Sequence, residues 1–304
     1  MSPRAAQTNL YLQRLNAVIG HARANLTDDL SLEALARVAG FSPFHFHRLF
    51  RSLTGETLSD LVARLRLERA VALLRATPRR SITEAAYASG FASVSVFSRA
   101  FKRRYGLNAR QWDRQAPLQG SKNGQESAEF PRYTLENLSD LAEREGLEVR
   151  LRTLAAQRLA YIRVYDSYRK PDRVGEAYQR LIAWFCRKGG RLDHTTLYGM
   201  SQDDPDITPL RLCRFDWCLK VPADWPAEDE ISVREWPACR IAAIRCVGDL
   251  QLEDKAFQYL FRYWLPRSRY QPANLPALEI YRRLPSELGW ETYDMDCAVP
   301  IVPL

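Results

Sequence analysis

The sequence predicts two domains of different class. The first is an all-α N-terminal domain with two helix-turn-helix motifs joined by a linker helix. The second is an α+β C-terminal domain of two pseudo-symmetric strand-helix-strand-strand units. Three observations carry this. Apolar residues recur at helical spacing through the first 115 residues and give way to strand-like alternation after about residue 145. SLEALARVAGFSPFHFHRLF, from Ser31, is echoed by SITEAAYASGFASVSVFSRAF, from Ser81. RLAYIR at 158–163 is echoed by RIAAIR at 240–245.

In the first N-terminal copy, Ser31 is an N-cap, and Leu32, Leu35 and Ala36 form the i, i+3, i+4 apolar face of a short helix. Gly40 ends it. Ser42 and Pro43 open a second helix, Pro43 at the first position where its missing N–H costs nothing. Phe46, Leu49 and Phe50 point inward, which leaves Phe44, His45, His47, Arg48 and Arg51 outside. In the second copy Ser81 caps, Ile82 and Ala86 face in, Gly90 turns, and Phe97, Ala100 and Phe101 anchor the second helix. Val94, Ser95, Ser98, Arg99, Lys102 and Arg103 are left outward. The intervening LSDLVARLRLERAVALLRAT is helical for about five turns, roughly 30 Å at about 1.5 Å per residue. That is close to one turn of B-DNA, about 34 Å, so two reading helices on one chain can enter successive major grooves.

The charge agrees with this division. Residues 1–115 hold 18 Lys/Arg against 8 Asp/Glu, and the remainder 26 against 28, so the whole net +8 sits in the first third. Such asymmetry fits a polyanion partner for that third, or a solvated basic face with no partner. RQAPLQGSKNGQESAEFPR (114–132) is polar and aperiodic and reads as a linker, with TLENLSDLAERE as a short helix after it. The predicted domains are 1–115, a linker at 116–145, and 146–304.

The C-terminal domain reads as strand LEVRLRTL, strand RLAYIRVY, helix RVGEAYQRLIAWFCRKG, then strands at TTLYGM and CRFDWCLKVP. The plan repeats as DEISVREWP, CRIAAIRCVG, helix LEDKAFQYLFRYWLP, PALEIY and MDCAVPIVP. Two such halves face each other across a pseudo-twofold axis, and the crevice between them is a natural ligand pocket. Aligning TLYGM with ALEIY sets Tyr198 opposite Glu279. Alternation places Glu279 and Tyr281 on one face of their strand, and Tyr161 and Tyr165 together on another. Glu279 stands between Leu278 and Ile280. A carboxylate there needs a partner: Arg282 or another Arg at the surface would be one, and a cationic ligand another, with Tyr and Trp faces adding cation–π attraction. Trp184, Trp217, Trp236 and Trp264 read as core anchors.

No run of about eighteen apolar residues exists, and the N-terminus lacks the apolar core of a secretory signal, so a cytoplasmic protein with no membrane partner is expected. The six cysteines form no CxxC pair and read as reduced, buried side chains. There is no HExxH, zinc spacing or phosphate-cradling glycine loop, so neither metal nor cofactor is expected.

Residues of about 10–112 resemble the DNA-binding domain of the AraC/XylS family. The second-motif signature stands as ASGFASVSVFSRAFKRRYGLNARQW (88–112), with Ala109 where the family commonly has Pro. The resemblance implies base-reading positions at Phe44, His47 and Arg48 in the first unit and at Ser95, Ser98 and Arg99 in the second. Arg51 and Lys102 are expected to join them on the DNA face. Arg can grip guanine bidentately, His and Ser can bond base edges, and Phe can touch a thymine methyl. Residues of about 147–304 are similar to the GyrI-like small-molecule-binding domain, through YGMSQDDP, RFDWCLKVP, YWLPRSRYQPANLPALEIY and MDCAVPIVP. Its pocket glutamate maps onto Glu279, and its aromatic wall onto Tyr161, Tyr198 and Tyr281. Cys246 departs from the family's usual His. Together the resemblances imply a transcription regulator, not an enzyme, that binds double-stranded promoter DNA, answers to an amphipathic or cationic effector and works with RNA polymerase. The alternative is a GyrI-like hydrolase or scavenger of a toxic small molecule fused to a DNA-binding domain.

Overall fold

The computed structural model describes residues 3–76, 80–114, 118, 135–205 and 208–304, without the side chains of 3–10, 44, 45, 48 and 135–137. Among the described residues no helix is long and apolar enough to cross a membrane.

Six helices build the N-terminal part: α1 (Pro3–Ala24), α2 (Leu32–Ala39), α3 (Pro43–Thr54), α4 (Leu58–Ala76), α5 (Ile82–Ala88) and α6 (Val94–Tyr105). The caps form where the side-chain chemistry demands them. Ser31 accepts from the Ala34 amide, Ser81 and Glu84 form a reciprocal capping box, and Ser93 accepts from the Val96 amide. Gly90 turns α5 into α6 at φ +85°, and a Cβ there would lie 1.9 Å from the Leu26 carbonyl oxygen, so only glycine fits.

The linker helix α4 is buried nearly all round. Its Leu58, Leu61, Val62 and Leu65 complete the core under α2 and α3, where Phe46 and Phe50 are fully enclosed. Its Leu67, Ala70, Val71, Leu73 and Leu74 complete the core under α5 and α6, around Phe97 and Phe101. One rigid helix therefore carries both helix-turn-helix units.

Helix α7 (Leu135–Glu145) follows, and its Leu138 and Leu141 sit in the core of the C-terminal domain. Its Ser139 hydroxyl lies 3.1 Å from the Tyr263 hydroxyl. This part of the expected linker is thus packed structure.

The C-terminal domain is a single antiparallel sheet with helices on one face. Its strands are β1 (Arg150–Leu154), β2 (Gln157–Tyr165), β3 (Leu197–Ser201), β4 (Arg214–Lys220), β5 (Ser232–Trp236), β6 (Cys239–Gly248), β7 (Tyr270–Pro272), β8 (Ala277–Tyr281) and β9 (Tyr293–Pro303). The order is β1-β6-β9-β8-β3-β4-β2-β5, with β7 on β9. Read outward from the β3–β8 junction, the halves mirror each other, β3-β4-β2-β5 against β8-β9-β6-β1. The outermost strands are exchanged. β5 opens the second unit in sequence but edges the first half, and β1 does the reverse. This exchange interlocks the two copies. Helix α8 (Pro171–Arg187) packs on β2 and β4, and α9 (Leu250–Gln258) packs equivalently on β6 and β9. Helix α9 runs on through a π-helical segment, Tyr259–Trp264, to Arg267.

The N-terminal part docks on the sheet face opposite these helices. Asn16 of α1 accepts from the Tyr165 hydroxyl at 2.9 Å and lies 3.5 Å from the Ser232 hydroxyl. Below it is a buried ion cluster. Asp203, with a fully enclosed side chain just beyond β3, accepts from Arg214 of its own domain, from Arg64 of α4 at 2.9 Å and from Arg23 of α1 at 3.1 Å. Glu68 of α4 takes Arg64 at 2.7 Å and the Thr208 hydroxyl. Burial pushes the Asp203 carboxyl up, but the three guanidinium groups outweigh it and hold the group well below the usual carboxylate range. The free cysteines include an exposed one, Cys186, so not all are core side chains as expected.

Candidate functional site

Glu279 lies on β8 at the centre of the sheet, 6% exposed, on the helix-covered face. Tyr281, two residues on and therefore on the same face, donates its hydroxyl to Glu279 Oε2 at 2.6 Å. Directly across the β3–β8 pair stands Gly199. A Cβ at Gly199 would lie 2.2 Å from Glu279 Oε2 and 2.7 Å from the Phe215 ring, so the carboxylate occupies space that only glycine leaves. The neighbouring strand adds Trp217, whose ring centroid lies 5.3 Å from that of Tyr281. Tyr178 of α8 and Trp290 close one end, edge to face at 4.8 Å, and Tyr293 lies 6.4 Å from Tyr281. Trp290 holds a left-handed φ of 66°, a conformation a bulky residue keeps only under surrounding constraint.

The electrostatics of this box are unusual. Among the described residues Glu279 has no ion pair; its carboxyl meets the Tyr281 hydroxyl and a second carboxyl, Glu253 of α9. Two carboxyl groups hydrogen-bond each other only when one keeps a proton. Burial raises the Glu279 pKa to about 7, against the lowering effect of both hydrogen bonds. Burial, with Glu279 and Glu253 beside it, also drives the Tyr281 hydroxyl well above its ordinary value. The arrangement is an aromatic box around two carboxyl groups that share a proton, with no ion pair to Glu279 among the described residues.

The structure brings together Glu279 and Tyr281 but not the other two expected wall residues. The β3–β8 register pairs Gly199, not Tyr198, with Glu279. Side chains alternate, so this one-residue difference sends Tyr198 to the opposite sheet face. There it exchanges hydrogen bonds with Gln157. Tyr161 shares that far face, with the Arg234 guanidinium 4.7 Å from its ring centroid. Sequence reasoning passed over Glu253, Phe215, Tyr293 and Trp290, and read Trp217 as core only. The pattern FDW at 215–217 held the missed signal, because two aromatics spaced by two share a face.

On the N-terminal side, α3 and α6 each bury one face and present the other. His47 is half-buried and Arg51 exposed on α3; the side chains of Phe44 and Arg48 lie outside the described residues. On α6, Ser95, Arg99 and Lys102 are exposed and Ser98 half-buried. Phe97 and Phe101 hold α6 in place from behind.

The profile of the GyrI-like small molecule binding domain matches residues 147–302, just over half of the chain. The chain belongs to the GyrI-like family. In the GyrI-like fold seen here, Glu279 and Gly199 are the pseudo-twofold counterparts at the sheet centre. A helix-turn-helix domain profile matches residues 35–115, and this part is of the AraC type. Within it the chain is 43% identical over 91 residues to the HTH-type transcriptional regulator GlxA of Rhizobium meliloti (strain 1021), covering 30% of this chain and 28% of GlxA. It is 33% identical over 81 residues to the regulatory protein SoxS of Escherichia coli (strain K12), covering 27% of this chain and 75% of SoxS. The solved DNA-binding domain of AdpA in complex with a target DNA is 32% identical, with a TM-score of 0.30 over 32% of this chain and 86% of that chain.

Proposed function

We propose that this protein is a cytoplasmic transcription regulator that binds promoter DNA through α3 and α6 and is controlled by an amphipathic cation bound at Glu279. The observation that carries the effector reading is the chamber itself: a buried carboxylate without an ion pair among the described residues, beside a second carboxyl and within a ring of aromatic side chains. An amphipathic aromatic cation supplies the missing charge, displaces the shared proton and gains cation–π attraction from Trp217 and Tyr281, about 0.5–2 kcal/mol each. The cation takes the place of the proton one charge for one charge, so binding leaves the net charge of the site unchanged, which limits the cost of burying it.

The DNA reading rests on two reading helices fixed to one linker helix, on the basic first third and on the AraC-type match. The Arg64–Asp203 contact ties that linker helix to the strand end beside Gly199. Effector binding at the sheet centre and the placement of both DNA units thereby share one joint. Recruitment of RNA polymerase is the expected output of such a regulator.

Titration with tetraphenylphosphonium tests the reading. Wild-type protein should bind it and change its affinity for operator DNA, and Glu279→Gln should bind it far more weakly. Chromatography of the ligand after incubation should return it intact. Conversion by wild type that stops in Glu279→Gln would replace the sensor reading with that of a hydrolase.

A further inference from the structure

Both carboxyls of the chamber belong to the second copy of the duplicated unit. AYQRLI (177–182) in α8 corresponds to AFQYLF (256–261) in α9, which sets Val174 against Glu253, each the fourth residue of its helix. Gly199 is likewise the counterpart of Glu279. The first copy therefore has an apolar side chain and a glycine where the second has two acids. Val174 is half-buried against the core, so the helix needs no acid at this place to pack on the sheet. A pair of carboxyls between helix and sheet costs stability instead. The fold did not require either acid, and both arose at one spot.

Glu279 Oε2 accepts from the Tyr281 hydroxyl at 2.6 Å, and the Glu253 carboxyl meets Glu279 from the α9 side. The other polar groups of the wall are spent elsewhere. Trp217 gives its N–H to the Val174 carbonyl at 2.9 Å. Tyr293 gives its hydroxyl to the Trp290 carbonyl at 3.0 Å. The Tyr178 hydroxyl is paired with that of Ser286 at 2.7 Å. When the proton between the carboxyls leaves, these three wall residues offer no donor to replace it.

The ligand must then bring the donor. A quaternary cation supplies charge but no N–H, and it leaves two facing carboxylates that repel each other and lack the hydrogen bond they had. A planar amidinium or guanidinium supplies the same charge with parallel N–H groups that can serve two carboxylate oxygens at once. The displaced proton passes to solvent, and charge-assisted hydrogen bonds take its place. An attached aromatic ring lies against Trp217 and Tyr281 in either case. We infer that the effector is an aryl amidinium or aryl guanidinium bridging Glu253 and Glu279, and that Glu253 selects such N–H cations over quaternary ones. This rests on the reading of the chamber as a cation site and narrows its ligand class.

The test compares two single-ring monocations, benzamidinium and phenyltrimethylammonium, on the full-length protein by calorimetry at neutral pH. Wild type should bind benzamidinium more tightly by about tenfold or more, the scale of one charged hydrogen bond. Glu253→Gln, which keeps the shape, should bring the ratio of the two affinities close to one. Glu253→Asp, which keeps a carboxyl, should retain most of the preference, and this separates a lost acceptor from a disturbed helix. Equal affinities in wild type, a wild type that takes only quaternary cations, or a preference that survives in Glu253→Gln would overturn this ligand class while leaving the chamber a cation site. Binding by Glu279→Gln equal to that by wild type, or no binding of either probe or of tetraphenylphosphonium, would overturn the chamber reading itself.

Discussion

Gly199 faces Glu279 across the β3–β8 strand pair, and the carboxylate lies where the glycine side chain would be. The two residues are pseudo-twofold counterparts. The duplicated fold has thus diverged at its own axis, with one copy supplying a charge and the other the space for it. Phe215 and Trp217 on the next strand complete the wall, and the chamber is built from the centre of the sheet outward.

Gly199→Ala tests that relationship. The added methyl meets Glu279 Oε2 and the Phe215 ring, and both side chains must shift to admit it. Overpacking of this kind costs about 1–3 kcal/mol. Thermal unfolding should show the loss, and cation affinity should fall although Glu279 is untouched. Unchanged affinity would mean that the carboxylate does not bind from its present position.

Glu279 also sets a pH dependence of stability. Its folded pKa is raised to about 7 from an ordinary 4.5, so between those values the folded state holds more protons than the unfolded one. Stability contributed by the protonated group is therefore present below about pH 4.5 and is lost as pH rises through about 7. The full loss is about 3 kcal/mol at about 1.36 kcal/mol per pH unit. Glu279→Gln removes this dependence and should make the unliganded protein more stable than wild type above pH 7. Denaturant midpoints across this range measure it, and parallel wild-type and variant curves would count against a raised pKa.

Duplication made the fold readable before the structure. Two copies of each pattern separated helix from strand and located both helix-turn-helix units, because capping serines, turn glycines and inward phenylalanines recur at matching places. The register at the site was not readable. Leu197, Tyr198, Gly199 and Met200 are all buried, since helices cover one sheet face and other residues the opposite one. A strand buried on both faces carries no polar alternation to fix its phase, so Tyr198 and Gly199 were interchangeable on pattern. Glu253 was hidden for another reason. An acid in the first turn of a helix reads as a solvated charge that favours the dipole, and only the packing of α9 on β6 and β9 brings it to Glu279. Asp203 in SQDDP has one partner nearby, Arg214, but the other two, Arg64 and Arg23, lie 139 and 180 residues away.

The DNA face should divide into two kinds of contact. Arg99, exposed on α6 and proposed to read a base, should cost about 1–3 kcal/mol on replacement by Ala and relax base preference at one position. Lys102→Ala should weaken all sequences alike and reduce the salt slope by about one. Binding to randomised operators at several salt concentrations separates them. Indistinguishable profiles would contradict the assignment of roles.

Asp203→Asn should damage the joint between the domains. Three guanidinium groups converge on this enclosed carboxylate, and breaking a buried pair by removing one partner costs about 3–5 kcal/mol. The variant should unfold in two steps, or at a markedly lower temperature, and its DNA affinity should no longer respond to effector. A variant that keeps a full effector response would show that the signal takes another route.

The dependence of cation affinity on pH bears on the chamber with the fewest intervening assumptions. Tetraphenylphosphonium should bind wild-type protein more tightly at about pH 8.5 than at about pH 6, by up to tenfold per unit below the Glu279 pKa, because the cation must displace a proton there. Glu279→Gln should bind weakly and equally at both. Wild-type affinity that is flat over this range, or a variant that binds as wild type does, would contradict a chamber that exchanges a proton for a cation at Glu279.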